Sequence, residues 1–204
     1  MKYVILLQGP TSTAAAHVAN WVGVQRWADA AMRVIVHAGL PTPIEPGGPA
    51  MPPAYNAVIE LWTDTAPAQD DFVAHWDQVH VRTSTQVIGK PSAAPVTAGV
   101  TPGLSQLSFI RAIHGLPRAD VERHWDEHIP LALQIHVGMN RYVQDRLSPP
   151  DPWFGMAHLH FPHEAALRDG LFRDDRDIAV ITADVAEFVA HHATMLAIEH
   201  VVKI

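Results

Sequence analysis

Trp153 to Phe161 reads WFGMAHLHF. Phe154, Met156, His158 and His160 alternate with Gly155, Ala157, Leu159 and Phe161, and a period of two marks a strand with two unlike faces. One face carries an aromatic, a thioether and two imidazoles. The other is apolar or small. Tyr55 to Trp62, YNAVIELW, is a strand of the same kind in the first half of the chain, and KYVILLQG from Lys2 matches LSFIRAIHG from Leu107. Two matched pairs at a separation of about 100 residues indicate a plan written twice.

Working outward from these strands, each half takes a β-α-β-β-α-β order. Strands are predicted at 2–8, Tyr55–Trp62, Leu107–His114, Asn140–Gln144, Trp153–Phe161 and Ile198–Ile204. Helices are predicted from Ala14 to about Val36, from Gln69 to about His80, at Arg118–Ile135 with a disturbance at Pro130, at His163–Phe172 and at Asp184–Met195. The Pro- and Gly-rich HAGLPTPIEPGGPAMPP is a loop. Pro91–Thr101 is loop and short strand, and Thr101-Pro102-Gly103 is the hinge. The expected fold is α+β: two ferredoxin-like βαββαβ modules fused into a pseudo-dimeric α+β barrel, residues 1–100 and 104–204. Helices cover one face of each small sheet, so the other face is expected to pack sheet on sheet.

Composition narrows the function. The chain has 204 residues, 48% hydrophobic and 17% charged, enough for a packed core. The formal net charge of −7 excludes the basic footprint of a nucleic-acid binder and disfavours an anionic membrane surface. There is no cysteine, so disulfides and thiolate chemistry are excluded. MKYVILLQGP is too short in apolar residues for a signal peptide, whose apolar region runs roughly 7–15 residues. No run approaches the ~18 residues of a membrane span. A cytoplasmic protein is the expectation. Histidine stands out: of 14, ten follow Gly99. Imidazole serves acid–base work near neutral pH, so the second half is expected to hold the site.

The second half resembles the EthD family of the dimeric α+β barrel superfamily. The resemblance rests on Trp125, His128-Ile-Pro130-Leu131, Gly138, the strand Arg141-Tyr142-Val143-Gln144, and the closing IEHVVKI with Glu199 and His200; in the first half it rests on Glu60 and Trp62 of YNAVIELWTD. Trp125 and His128 are three apart where four is expected, and the first half lacks His-x-Pro-Leu. The first half is therefore expected to be a degenerate partner that shapes the pocket. The resemblance implies a small enzyme on aromatic, quinone-like or polyketide-like compounds, with cofactor-free oxygenation of anthrones, cyclisation, isomerisation and dehydration as the range.

On this reading His128, aided by His124, abstracts a proton, and His158 is a further catalytic candidate. An imidazole beside apolar walls is suited to that task. Tyr142 holds the developing oxyanion. Trp125, Phe154, Met156, His160, Trp62 and Glu60 are expected to line the substrate pocket, with Glu60 pairing with a histidine across it and His114 at its mouth. His191-His192, on a helix, would be solvated, as would the loop Asp174–Asp177. No cofactor is expected. The partner is a small molecule, and the chain is a monomeric pseudo-dimer or a homodimer. Two rivals remain: a non-catalytic carrier of hydrophobic ligands, and a metalloenzyme using the His-x-His pair His158 and His160, with His163 as a third ligand.

Overall fold

The structure, a computed structural model, describes residues 1–9, 27, 29–40, 42–43, 50–51, 54–72 and 76–204. Its strands are β1 (Lys2–Gln8), β2 (Arg33–Leu40), β3 (Thr42–Pro43), β4 (Ala50–Met51), β5 (Ala57–Trp62), β6 (Gln78–Lys90), β7 (Gly99–Val100), β8 (Leu104–Ala112), β9 (Arg141–Ser148), β10 (Gly155–Phe161) and β11 (Val189–Lys203). Among the described residues the longer helices are α1 (Arg118–Ile135), α2 (Glu164–Gly170) and α3 (Asp175–Val185).

The long strands form one ring. Neighbours run β2-β5-β1-β6-β9-β10-β8-β11, and β2 pairs with β11 to close it; β7 adds to β11, and β3 and β4 make a separate ribbon. Every pairing is antiparallel. This corrects the expected fold. The chain is a closed eight-stranded antiparallel β-barrel, mostly sheet, and not two ferredoxin-like βαββαβ modules packed face to face. The halves join edge to edge at two seams: β6 on β9, with Thr83 opposite Ser148, and β2 on β11, with His37 opposite Glu199. Ring closure removes the edges that two separate sheets would have exposed.

Several element boundaries move for local reasons. Val34-Ile35-Val36 is a β-branched run and belongs to β2, not to the end of a helix. Of the expected first helix, Trp27, Asp29 and Ala30 are helical and residues 31–36 are not; 10–26 and 28 lie outside the described residues. The second expected helix is a 3₁₀ turn at Gln69–Asp71, and Gln78–Lys90 is strand, with Val79, Val81, Thr83, Thr85 and Val87 alternating. His75 lies outside the described residues. The last helix begins earlier than expected, because the Asp174 carboxylate accepts from the Arg176 and Asp177 backbone N–H groups and caps it. Asp177 is therefore a buried helical residue bound to Arg173, not part of a solvated loop. Val189–Lys203 is then one long strand, so His191 and His192 are strand residues.

Outside the ring, one apolar cluster packs Tyr3, Ile5, Leu7, Val36 and Ile59 against Trp27, Phe72 and Trp76. A second packs Ile110, Tyr142, Ala157, Leu159 and Phe161 beneath Val121 and Trp125 of α1, with Phe188 beside them. Gly155 allows this fit, since a Cβ there would meet the Trp125 ring at 2.4 Å. Gly138 does the same at the far end of α1, donating its N–H to the Gly170 carbonyl at 2.9 Å. Inside the ring, one end is apolar, with Val4, Leu6, Val58, Leu107, Phe109 and Met156. The other end is charged. No helix among the described residues is long and apolar enough to cross a membrane.

Candidate functional site

Two cavities hold most of the sequence-predicted residues that line any cavity, and they lie on opposite faces of the same strands. The outer cavity, about 220 Å³, sits between α1, α3 and the sheet. Trp125, His128, Ala132 and His136 reach it from α1. Tyr142, Ala157 and Leu159 form its floor. Ile181, Thr182 and Val185 come from α3, with Phe172 and Phe188 beside them.

The reactive groups of this cavity are oriented from behind. His128 is buried, and its Nδ1 lies 2.5 Å from Asp184 Oδ2. A carboxylate can only accept, so Nδ1 carries a hydrogen, and in the neutral ring the lone pair is on Nε2. That is the arrangement of a general base with a carboxylate orienter. Tyr142 is 1% exposed, and burial pushes its pKa up to about 12. It stays protonated. Its oxygen accepts from Gln144 Nε2 at 3.0 Å, which leaves the O–H available to donate. Gln144 Nε2 also donates to the Trp125 carbonyl at 2.7 Å, which ties floor to helix. His136 donates from Nδ1 to the Leu171 carbonyl at 2.7 Å, and burial lowers its pKa, which favours its neutral ring.

The inner site lies in the charged end of the ring. A second cavity of about 160 Å³ is lined there by Arg33, Glu60, Trp62, Arg141, His158 and Glu199, among others. Lys2 Nζ binds Glu60 Oε2 at 2.6 Å and Asp145 Oδ1 at 2.6 Å. Glu60 Oε1 lies 2.7 Å from His37 Nε2 and 3.6 Å from His158 Nδ1. Arg141 pairs with Glu199, and Thr101 Oγ1 donates to Glu199 Oε1 at 2.6 Å. Burial would raise the Glu199 pKa, but the facing His37, His158 and Arg141 outweigh it and hold it at about 2. Burial, helped by Arg141, lowers His158 to about 3 and His160 to about 4. Both rings are neutral at pH 7.

The expected site residues thus divide. Trp125, His128 and Tyr142 line the outer cavity. His158, Trp62 and Glu60 line the inner one. Met156 packs in the apolar interior of the ring, and His160 is held by Asn140 Oδ1 at 2.8 Å. Phe154 precedes β10 and packs beside Trp125, so it does not share the face of Met156. His124 stacks on Phe188 behind the outer cavity, and His114 is exposed in the turn after β8. His192, expected to be solvated, is exposed yet stands on the rim of the outer cavity. His163 caps α2 by accepting from the Ala166 N–H and lines neither cavity. Asp184, His136 and His37 were not singled out by the sequence. Asp184 lies 56 residues from His128, and no local pattern connects them.

The fold has known relatives. One is an anthrone oxidase-like protein, at 11% identity and TM-score 0.61, matching 98% of this chain and 92% of that one. Another is a proposed monooxygenase of Fusobacterium nucleatum, at 7% identity and TM-score 0.57, matching 99% and 91%. A third is a chlorite dismutase variant of Candidatus Nitrospira defluvii, at 10% identity and TM-score 0.50, matching 96% and 90%. Similarity at these identities is similarity of fold. No family model matches the sequence, nor does any curated protein. Membership of the EthD family is therefore not shown.

Proposed function

We propose that the chain is an oxygenase-type enzyme acting on an aromatic or polyketide-like small molecule in the outer cavity. One observation carries the reading: a His–Asp pair at 2.5 Å whose imidazole lines a largely apolar space that also holds a protonated tyrosine. His128 Nε2 takes a proton from an acidic C–H or phenol. Tyr142 donates to the oxygen on which negative charge develops. Beside apolar walls such a hydrogen bond is stronger than in solution. Trp125, Phe172 and Phe188 offer ring faces and edges to an aromatic substrate. A carbanion made this way can react with oxygen directly: one oxygen atom becomes the new carbonyl and the other leaves as water with the two hydrogens lost, so the reading calls on no cofactor. Names borne by two of the fold relatives, anthrone oxidase-like and monooxygenase, are in keeping with this chemistry. Residues 104–204 then carry the site, and residues 1–100 complete the ring that supports its floor.

The test is oxygen uptake with a panel of anthrones and hydroquinones, wild type against His128→Ala, with product masses. His128-dependent uptake, and a product that has exchanged two hydrogens for one oxygen, supports the reading. A His128-dependent isomer or dehydration product without uptake replaces oxygenation by cyclisation or dehydration. A panel bound but never altered assigns the cavity to ligand carriage.

A further inference from the structure

The buried trio His37, Glu60 and His158 plays no part in the reaction proposed for the outer cavity. Its ligand atoms all lie within 4.8 Å of one another, and none of the three residues is more than 3% exposed. We infer that these residues form a binding site for a late first-row divalent metal ion inside the ring, with an open coordination position facing the inner cavity.

The donor set is two imidazoles and one carboxylate, which suits such an ion and leaves positions unfilled. Two ligands each at about 2.1 Å from a tetrahedral ion stand about 3.4 Å apart. Glu60 Oε1 stands 2.7 Å from His37 Nε2 and 3.6 Å from His158 Nδ1, so for these two pairs shifts below an ångström reach that spacing, while the two ring nitrogens, within 4.8 Å of each other, must close by up to about 1.4 Å.

The surroundings supply what such ligands need behind them. Lys2 Nζ, 2.6 Å from Glu60 Oε2, fixes the carboxylate with Oε1 toward the two rings. His158 Nε2 lies 3.0 Å from Ser105 Oγ and 3.2 Å from Arg141 Nη2; a guanidinium only donates, so ligation through Nδ1 requires the ring to take its other tautomer, with Ser105 Oγ accepting the Nε2–H and Arg141 left to Glu199. Glu199 Oε2 lies 4.0 Å from His37 Nδ1, a buried ring nitrogen that otherwise has no hydrogen-bond partner. An orphan nitrogen of this kind is costly in a closed interior, and binding of the ion at Nε2 with closure of Nδ1–H onto Glu199 satisfies both ends of the ring. Glu60 and His158 line the inner cavity, which gives the ion its open side.

The experiment titrates tag-free, chelator-treated protein with Co²⁺, followed by visible absorption, and with Zn²⁺ by calorimetry. Wild type should take up one ion per chain, with the intense bands of a low-coordinate cobalt site. His37→Ala, His158→Ala and Glu60→Gln should abolish the bands. Ser105→Ala should weaken binding by about 10-fold, while His163→Ala and His128→Ala should leave it intact. Glu60→Gln keeps shape, so circular dichroism and this variant together separate lost ligation from lost folding. Absence of a stoichiometric ion in wild type overturns the inference, as does binding that survives in His37→Ala and His158→Ala. Because His128→Ala must keep the metal, this result and that of the oxygen-uptake test can fail independently.

Discussion

The outer cavity and the charged interior use the same residue types to opposite ends. Under α1 and α3, His128 and Tyr142 are each held by one partner, and their remaining side faces an apolar space. Inside the ring, Lys2, Glu60, Asp145, Arg141 and Glu199 are all at least 88% enclosed and answer one another's charge. A group works on a substrate only if one of its sites is oriented but unspent. A charge enclosed with its counter-charges holds a structure together first, and its removal costs stability whatever chemistry it also serves.

That contrast can be broken by experiment. The largest effect is expected from His128→Ala, which should lower turnover by roughly 10²- to 10⁴-fold while leaving the unfolding midpoint in urea nearly unchanged. Equal loss of stability would place His128 with the structural group. Lys2→Met should do the reverse. It strands Glu60 and Asp145 without their cation, at a cost of about 3–5 kcal/mol in denaturant unfolding, and an unchanged midpoint would show that water reaches the interior.

Acid should separate the regions next. His158 and His160 have pKa values near 3 and 4 in the folded chain, below the ~6.5 of an unfolded one. Between these values the unfolded chain binds more protons, so their contribution is fully present above about pH 6.5 and is lost as pH falls toward 3. Urea midpoints measured across that range should fall, and His158→Gln should flatten part of the slope. The smallest effect belongs to Gly155→Ala. A Cβ there meets Trp125 at 2.4 Å and must push the indole toward the outer cavity, for about 1–3 kcal/mol of stability and a raised KM with little change in kcat. A kcat loss as large as that of His128→Ala would mean that the cavity wall, not the base, governs the rate.

Several strands were legible from alternation or β-branching: KYVILLQ is strand throughout, while the strands expected at Tyr55–Trp62 and Trp153–Phe161 each begin two residues later, at Ala57 and Gly155. Helix α1 was legible from its length, and it keeps Pro130 inside it. Arg33–Leu40 was an exception: Val34-Ile35-Val36 is β-branched, but the apolar residues also continue a helical spacing from Trp21, and pairing with β5 and β11 decides for strand. The ring itself was hidden for a related reason. A β-strand's sequence states its faces but not its neighbours, and both seams join residues far apart in the chain. For the site, His128, Trp125 and Tyr142 could be named from local pattern, but their cavity depends on Asp184 and Phe188 arriving from beyond β10. The imidazoles of β10 share a face, as period two requires, and that face turned inward to the charged end, away from α1.

Lys2 and Asp145 are 143 residues apart, and their ion pair crosses a seam. It can form only once β6 has met β9, which brings together parts of the chain that are far apart in sequence. Such a contact does nothing to guide the chain toward its transition state. It acts afterwards, as a latch: its energy is expected in the rate of unfolding and not in the rate of folding. A ring sealed by late, long-range pairing is slow to make, and the latch makes it slow to lose.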